Sequence, residues 1–171
     1  METIHFAETQ YFSIWFWILI IGVSGGLPIG LSFLRQVPQW LRWMLRLLGI
    51  GIPLMCYLFA GVMITTVDDQ YVHVSFGALR LLGSQYSFSS IKSAVPRQYS
   101  PNKEYGGYGM KGTATNRALN ASGDSGVQLV LKGGGIEGDR VLIGSQRSSE
   151  LAGVIRQGMA RVPLSTPTIG R

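Results

Sequence analysis

The sequence predicts a membrane α + β protein: a two-helix transmembrane hairpin followed by a small domain of about seven antiparallel strands and one C-terminal helix. Three observations predict it. Two apolar stretches, Tyr11–Leu34 and Leu47–Val67, contain no Asp, Glu, Lys, Arg or His. From Gln70 onward the apolar residues alternate in short runs broken by glycine and other turn formers. After Ser145 they recur every three or four residues.

Each apolar stretch meets the requirement of roughly 20 residues for a helix crossing about 30 Å of hydrocarbon. The first does not read as a signal peptide, since no basic segment precedes it, its apolar run is too long and no A-x-A-like cleavage site follows before Arg35. Nor does it read as a soluble core helix, because Trp15-Phe16-Trp17-Ile18-Leu19-Ile20-Ile21 leaves no polar face. The expected organisation is an N-terminal segment 1–10, a hairpin 11–67 with a basic loop 35–46, a β domain 68–162 whose helix spans 148–162, and a tail 163–171.

Gly22, Gly26 and Gly30 repeat every four residues in the first span, a small-residue stripe along which another backbone can approach closely. That neighbour is either the second span or a separate membrane protein. Pro28 removes a backbone donor between two of these glycines, so a kink is expected near Ser24. Trp15, Trp17, Trp40 and Trp43 read as interfacial residues, together with Arg35, Arg42 and Arg46. Residues 39–48 fit either a short helix in the headgroup plane or the first turns of the second span. With no ionisable group inside either stretch, transport and channel functions are not expected.

The net charge of +6 is unevenly spread. The N-terminal segment carries Glu2 and Glu8 without Lys or Arg, whereas the loop carries three arginines without an acid. By the positive-inside rule this loop lies in the cytoplasm and both termini outside. Cys56, the only cysteine, sits in the second stretch and cannot form an intrachain disulfide.

In the β domain the expected strands are Tyr71–Phe76, Leu79–Leu82, Tyr86–Phe88, Ile91–Tyr99, Arg117–Ala121, Val127–Lys132 and Arg140–Ile143. Pro96 assigns Ile91–Tyr99 to an edge or a bulge. The glycine tract 133–138 with Asp139 closes a hairpin. Residues 104–112 read as a long flexible loop alternating tyrosine with glycine. Leu151, Val154, Ile155, Met159 and Val162 give one amphipathic helix, begun by Ser148 and Glu150 and ended by Pro163 and Pro167. Strands plugged by such a helix make a small curved sheet or open barrel.

Catalytic patterns are not expected. Gly107-x-Gly109-x-x-Gly112 matches a dinucleotide fingerprint, but no βαβ unit surrounds it. His5 and His73 lie in different regions without further ligands, so no metal or cofactor is expected. Asp68 and Asp69 read as the exit from the bilayer. Lys103, Tyr105, Tyr108, Lys111, Arg117 and Arg147 are candidate contacts for an acidic partner or for anionic headgroups. Nucleic acid and small-molecule substrates are not expected, since basic residues are interrupted by acids and form no stripe with stacking aromatics.

The segments Ile91-Lys92-Ser93-Ala94-Val95, Glu104-Tyr105-Gly106-Gly107-Tyr108-Gly109-Met110, Arg117-Ala118-Leu119-Asn120-Ala121-Ser122-Gly123 and Leu142-Ile143-Gly144-Ser145-Gln146-Arg147, with Glu8-Thr9-Gln10 before the first span, resemble uncharacterised bacterial two-span membrane proteins. Those proteins carry a pleckstrin-homology-like domain. The resemblance implies a two-span anchor in the bacterial cytoplasmic membrane, a PH-like barrel or sandwich, and no enzyme activity. It also implies a cytoplasmic domain, against the direction of the loop arginines. The expected function is a non-catalytic scaffold, an accessory subunit docked on integral membrane proteins of a larger complex, respiratory or photosynthetic for example. Anionic-lipid binding and envelope regulation are the alternatives.

Overall fold

In the computed structural model, which describes residues 3–133 and 138–161, the chain divides into two units. One comprises Met1–Glu8, Thr65–Val74 and Ser84–Arg171; the other comprises Thr9–Ile64 and Ser75–Gly83. Val162, the tail 163–171 and residues 134–137 of the glycine tract lie outside the described residues.

Strand β1 (Phe6–Tyr11) precedes the first helix, so Tyr11 is the end of a strand and not the start of a span. Ser13 then caps α1 (Ile14–Ile20) by accepting from the Trp15 N–H. A wide-turn segment, Ile21–Gly26, links α1 to α2 (Leu27–Leu31). Such an inserted turn is a recognised way to bend a helix. Pro28 has no N–H to offer the Ser24 carbonyl, and the Leu27 N–H reaches back five residues to Gly22. The expected irregularity near Ser24 is therefore this wide turn.

The second long helix, α3, is Gln39–Ala60. It begins eight residues before the expected span, so residues 39–48 are the first turns of that helix. It also ends earlier, at Ala60 with Gly61 as its cap, because Val62-Met63-Ile64-Thr65-Thr66-Val67 is β-branched at every position but Met63, and forms strand β2 (Val62–Val67). Both Ile14–Leu31 and Gln39–Ala60 are long and apolar enough to cross a membrane.

Strands β3 (Tyr71–Phe76) and β4 (Leu82–Ser87) complete a four-stranded sheet in the order β1-β2-β3-β4. The expected strands Leu79–Leu82 and Tyr86–Phe88 are corrected here: residues 78–81 are a turn, and Phe88–Ser90 is a short 3-10 turn. The second sheet holds β5 (Ile91–Gln98), β6 (Gly109–Gly112), β7 (Asn116–Asn120), β8 (Ser125–Leu131) and β9 (Arg140–Gly144), in the order β5-β8-β9-β7-β6. Pro96 stands on the edge strand β5, as its missing donor requires. Three of this sheet's pairs are antiparallel, but β7 and β9 run parallel, Ala118 opposite Leu142, so the sheet is mixed. Among the described residues the stretch 68–162 holds seven strands, the number expected, although their bounds differ; with β1 and β2 from outside it they form two open sheets and not one closed barrel.

A five-residue helix, α4 (Pro101–Tyr105), and strand β6 replace the flexible loop expected over 104–112. Gly112 is required there: at φ +96° its hypothetical Cβ would lie 2.2 Å from the Asn116 carbonyl oxygen, across the β6–β7 turn. Helix α5 (Ser148–Arg161) buries Leu151, Ala152, Ile155 and Gly158 against β5, β8 and the Phe88 turn. On β9, Val141, Leu142 and Ile143 are all buried because both sheet faces are covered. Leu142 joins Tyr99, Tyr105 and Ala118 in a cluster on one side, while alternation sends Val141 and Ile143 to the other.

Candidate interaction surfaces

The helical unit closes through glycines, though not through the expected stripe. A Cβ on Gly49 would lie 2.8 Å from the Gly25 carbonyl oxygen and 2.7 Å from Ile29 Cγ1, and one on Gly25 would lie 3.1 Å from the Gly49 oxygen. The backbones therefore meet at Gly25 and Gly49. The wide turn redirects the following residues, and beyond the backbone of their own helix Gly22 and Gly30 have no atom within 4 Å of where a Cβ would stand. Gly26 meets only the Ile21 carbonyl of its own helix, at 3.7 Å, and Pro28 is half-buried. At the other end Trp17 packs 6.0 Å from the Tyr57 ring, and its indole fills the space beside Gly61.

Trp15, Trp40 and Trp43 are exposed, as is Arg35. The other two loop arginines brace the helix ends. Arg42 donates from Nε to the Val37 carbonyl at 2.9 Å and from Nη2 to that of Arg35 at 3.3 Å. Arg46 donates to the Ser32 hydroxyl at 3.2 Å and stacks over Phe33 and Trp43, with 5.2 and 5.4 Å to their centroids. Ser32 is fully buried and in turn donates to the Ile29 carbonyl at 2.6 Å.

The candidate contacts of the sheet unit stand in different settings. Tyr105 belongs to the core: its hydroxyl accepts from Arg97 Nη2 at 3.1 Å and donates to Asn116 Oδ1 at 3.4 Å. Arg97 also binds Gln128 Oε1 at 3.1 Å and Glu104 Oε2 at 2.8 Å. The Ser100 backbone N–H, and then Arg97, hold the Glu104 carboxyl below the usual carboxylate range against the opposing effect of burial. Tyr108 is exposed and donates to the Gly123 carbonyl at 3.3 Å, and Lys103 is exposed on α4. Lys111 and Arg117 line an open groove of about 290 Å³ with Ser84, Met110 and Thr113.

Arg147 is held at a different junction. It donates to the Ala7 carbonyl at 2.5 Å, pairs with Glu150 at 3.2 Å and lies 4.5 Å over the Phe6 ring. Glu8 completes that junction, accepting from the Ser145 hydroxyl at 2.5 Å and the Gln146 N–H at 2.9 Å. Sequence separations of 137 and 138 residues hide these bonds from any local reading.

Two His–Asp pairs occupy the β2–β3 turn, where Asp68 and Asp69 are expected only to mark the exit from the bilayer. His73 Nε2 meets Asp68 Oδ2 at 2.7 Å, and His5 Nε2 meets Asp69 Oδ1 at 2.6 Å. Asp68 also accepts the N–H groups of Gln70 and Tyr71, each at 2.8 Å, so it caps the turn by the usual aspartate geometry. Burial would raise the Asp68 carboxyl, but those two N–H groups and His73 together hold it below its ordinary value. A carboxyl lowered by folding contributes stability in full above its unfolded pKa, about 4, and loses it as pH falls through the folded value. Asp68→Asn should therefore lower stability at neutral pH and flatten the acid limb of the stability–pH curve, as measured by urea unfolding between pH 3 and 7. Equal acid limbs in the two proteins would contradict this assignment. Among the described residues no three His, Cys, Asp or Glu side chains converge as a metal site.

No protein-family model matches this chain, and no curated protein matches its sequence.

Proposed function

We propose that the chain is a non-catalytic, membrane-anchored interaction protein whose first helix docks on another integral membrane protein, as an accessory subunit of a larger complex. One observation carries this reading. Gly25 and Gly49 already close the helical pair, so Gly22 and Gly30 form a smooth face that the chain's own helices leave open. Small residues that admit close backbone approach are the usual contact surface between helices in lipid. A bilayer location is supported by the exposure of the two helices, of which only 6% of each apolar window is buried. We place the chain in a bacterial cytoplasmic membrane with the sheet unit on the cytoplasmic side and read that unit as PH-like, on the resemblance of its segments. Mainly antiparallel strands followed by a C-terminal helix support that reading.

The alternative, anionic-headgroup binding, has one observation of its own, the groove that holds Lys111 and Arg117 together. Photo-cross-linking from residue 30 in native membranes tests the preferred reading. It should trap a second membrane protein in a discrete adduct, and labelling of lipid alone would contradict it.

A further inference from the structure

The turn between β3 and β4 belongs to the same unit as the two helices, and its chemistry is unlike that of a solvated turn. Ala78, Leu79, Arg80, Leu81 and Leu82 are all exposed, Leu79 by 48%, Leu81 by 68% and Leu82 by 41%. Turn tips in water favour Asn, Asp, Ser, Pro and Gly, and between Gly77 and Gly83 this segment has none.

Its backbone is fixed to the end of α3. The Leu79 N–H bonds to the Leu58 carbonyl at 3.1 Å and the Gly77 N–H to that of Val62 at 2.7 Å. Gly77 stands at φ +76°, and a Cβ there would lie 2.2 Å from the Leu58 carbonyl oxygen, so only glycine lets the turn seat this closely. Arg80 takes φ +52°, rare for a side chain of its size, within a turn closed by its own N–H to the Gly77 carbonyl at 3.1 Å. The turn is thus level with residue 58, inside the apolar window that ends at Ala60. Leu54, one helical turn before Leu58 and on the same side of α3, is exposed, as are Met55 and Tyr57, and Trp17 packs on Tyr57.

We propose that residues 78–82 form a membrane-inserted hook: Leu79, Leu81 and Leu82 enter the headgroup–acyl boundary next to the end of α3, and Arg80 meets lipid phosphate. The occupant is lipid because the surface is continuous with the faces of helices that themselves span the bilayer, a reading on which this inference rests. Apolar side chains at such a boundary sit about 5–10 Å deep, and a long arginine stem reaches back to the phosphates. The hook fixes the depth and orientation of the end of α3, which a single helix axis leaves free to slide and rotate.

Nitroxide labels at Leu79→Cys, Leu81→Cys and Ile50→Cys, each in a Cys56→Ser background, test this in the full chain reconstituted in phosphatidylcholine–phosphatidylglycerol vesicles. Collision with oxygen is compared with collision with a water-soluble nickel chelate, using spin-labelled lipids as depth standards. Labels at 79 and 81 should give an oxygen-to-nickel ratio several-fold above that of a label in water. If residue 50 is shielded but 79 and 81 match the aqueous label, the hook is refuted while the spans stand, and the leucines then await a protein partner. If residue 50 is itself open to nickel, the spanning reading fails and the hook fails with it.

Discussion

Alanine in place of Phe88 should cost the sheet unit about 3–5 kcal/mol, the range for emptying an aromatic site in a packed core. Phe88 is 2% exposed and lies under α5, where a Cβ on Gly158 would come within 2.3 to 2.8 Å of three ring atoms. The helix rests on the ring through a residue with no side chain. The same geometry makes Gly158→Ala destabilising by about 1–3 kcal/mol, through overpacking and not through a cavity. Because the two residues share one contact, the double variant Phe88→Leu with Gly158→Ala should be less destabilised than the sum of the singles. Urea unfolding in micelles, followed by circular dichroism, reads all of these. A loss below about 1 kcal/mol for Phe88→Ala would mean that α5 is not held at this point.

The second large effect is expected at Gly49. Leucine there meets backbone on one side, the Gly25 carbonyl, and a packed side chain on the other, Ile29, so the helices must part. Overpacking of this kind costs about 1–3 kcal/mol, and more where backbone itself must move. Gly22→Leu and Gly30→Leu project into open space and should leave the helical pair within about 0.5 kcal/mol of the parent. An SDS titration of helix-pair unfolding separates the two classes. Equal losses at positions 22 and 49 would contradict the assignment of the contact face.

Periodicity made the large divisions legible. Unbroken apolarity marked both helices, and the three- and four-residue spacing after Ser145 marked α5 to within one residue of its described end. Strand β5 was legible from its β-rich run and its edge position from Pro96, because a missing donor has only one tolerable place in a sheet. What remained hidden was decided by partners distant in sequence. Val62–Val67 is apolar and adjoins a helix, so it reads as more span, yet β1 and β3 recruit it as a strand. Phe6–Tyr11 looks like a mere preface to a helix for the same reason.

The contact face was half legible. The four-residue repeat of Gly22, Gly26 and Gly30 is visible in the sequence, but the wide turn that passes the intrachain contact to Gly25 is not. Pro28 signalled an irregularity without giving its form. Tyr105 looked like an exposed contact because it stands among glycines, whereas the short α4 turns it into the cluster with Tyr99 and Leu142. The His–Asp pairs were illegible in one case and readable in the other: His5 and Asp69 are 64 residues apart, while Asp68 and His73 are joined by a single turn.

The central claim is that the helical pair is complete within the chain and leaves a face for another protein. The pattern of photo-cross-links around the first helix in native membranes tests it most directly. Residue 29, whose native side chain already lies against Gly49, should trap only α3 of the same chain, while residues 22 and 30 trap one discrete second membrane protein. Lipid adducts from 22 and 30, with no protein adduct, would contradict it.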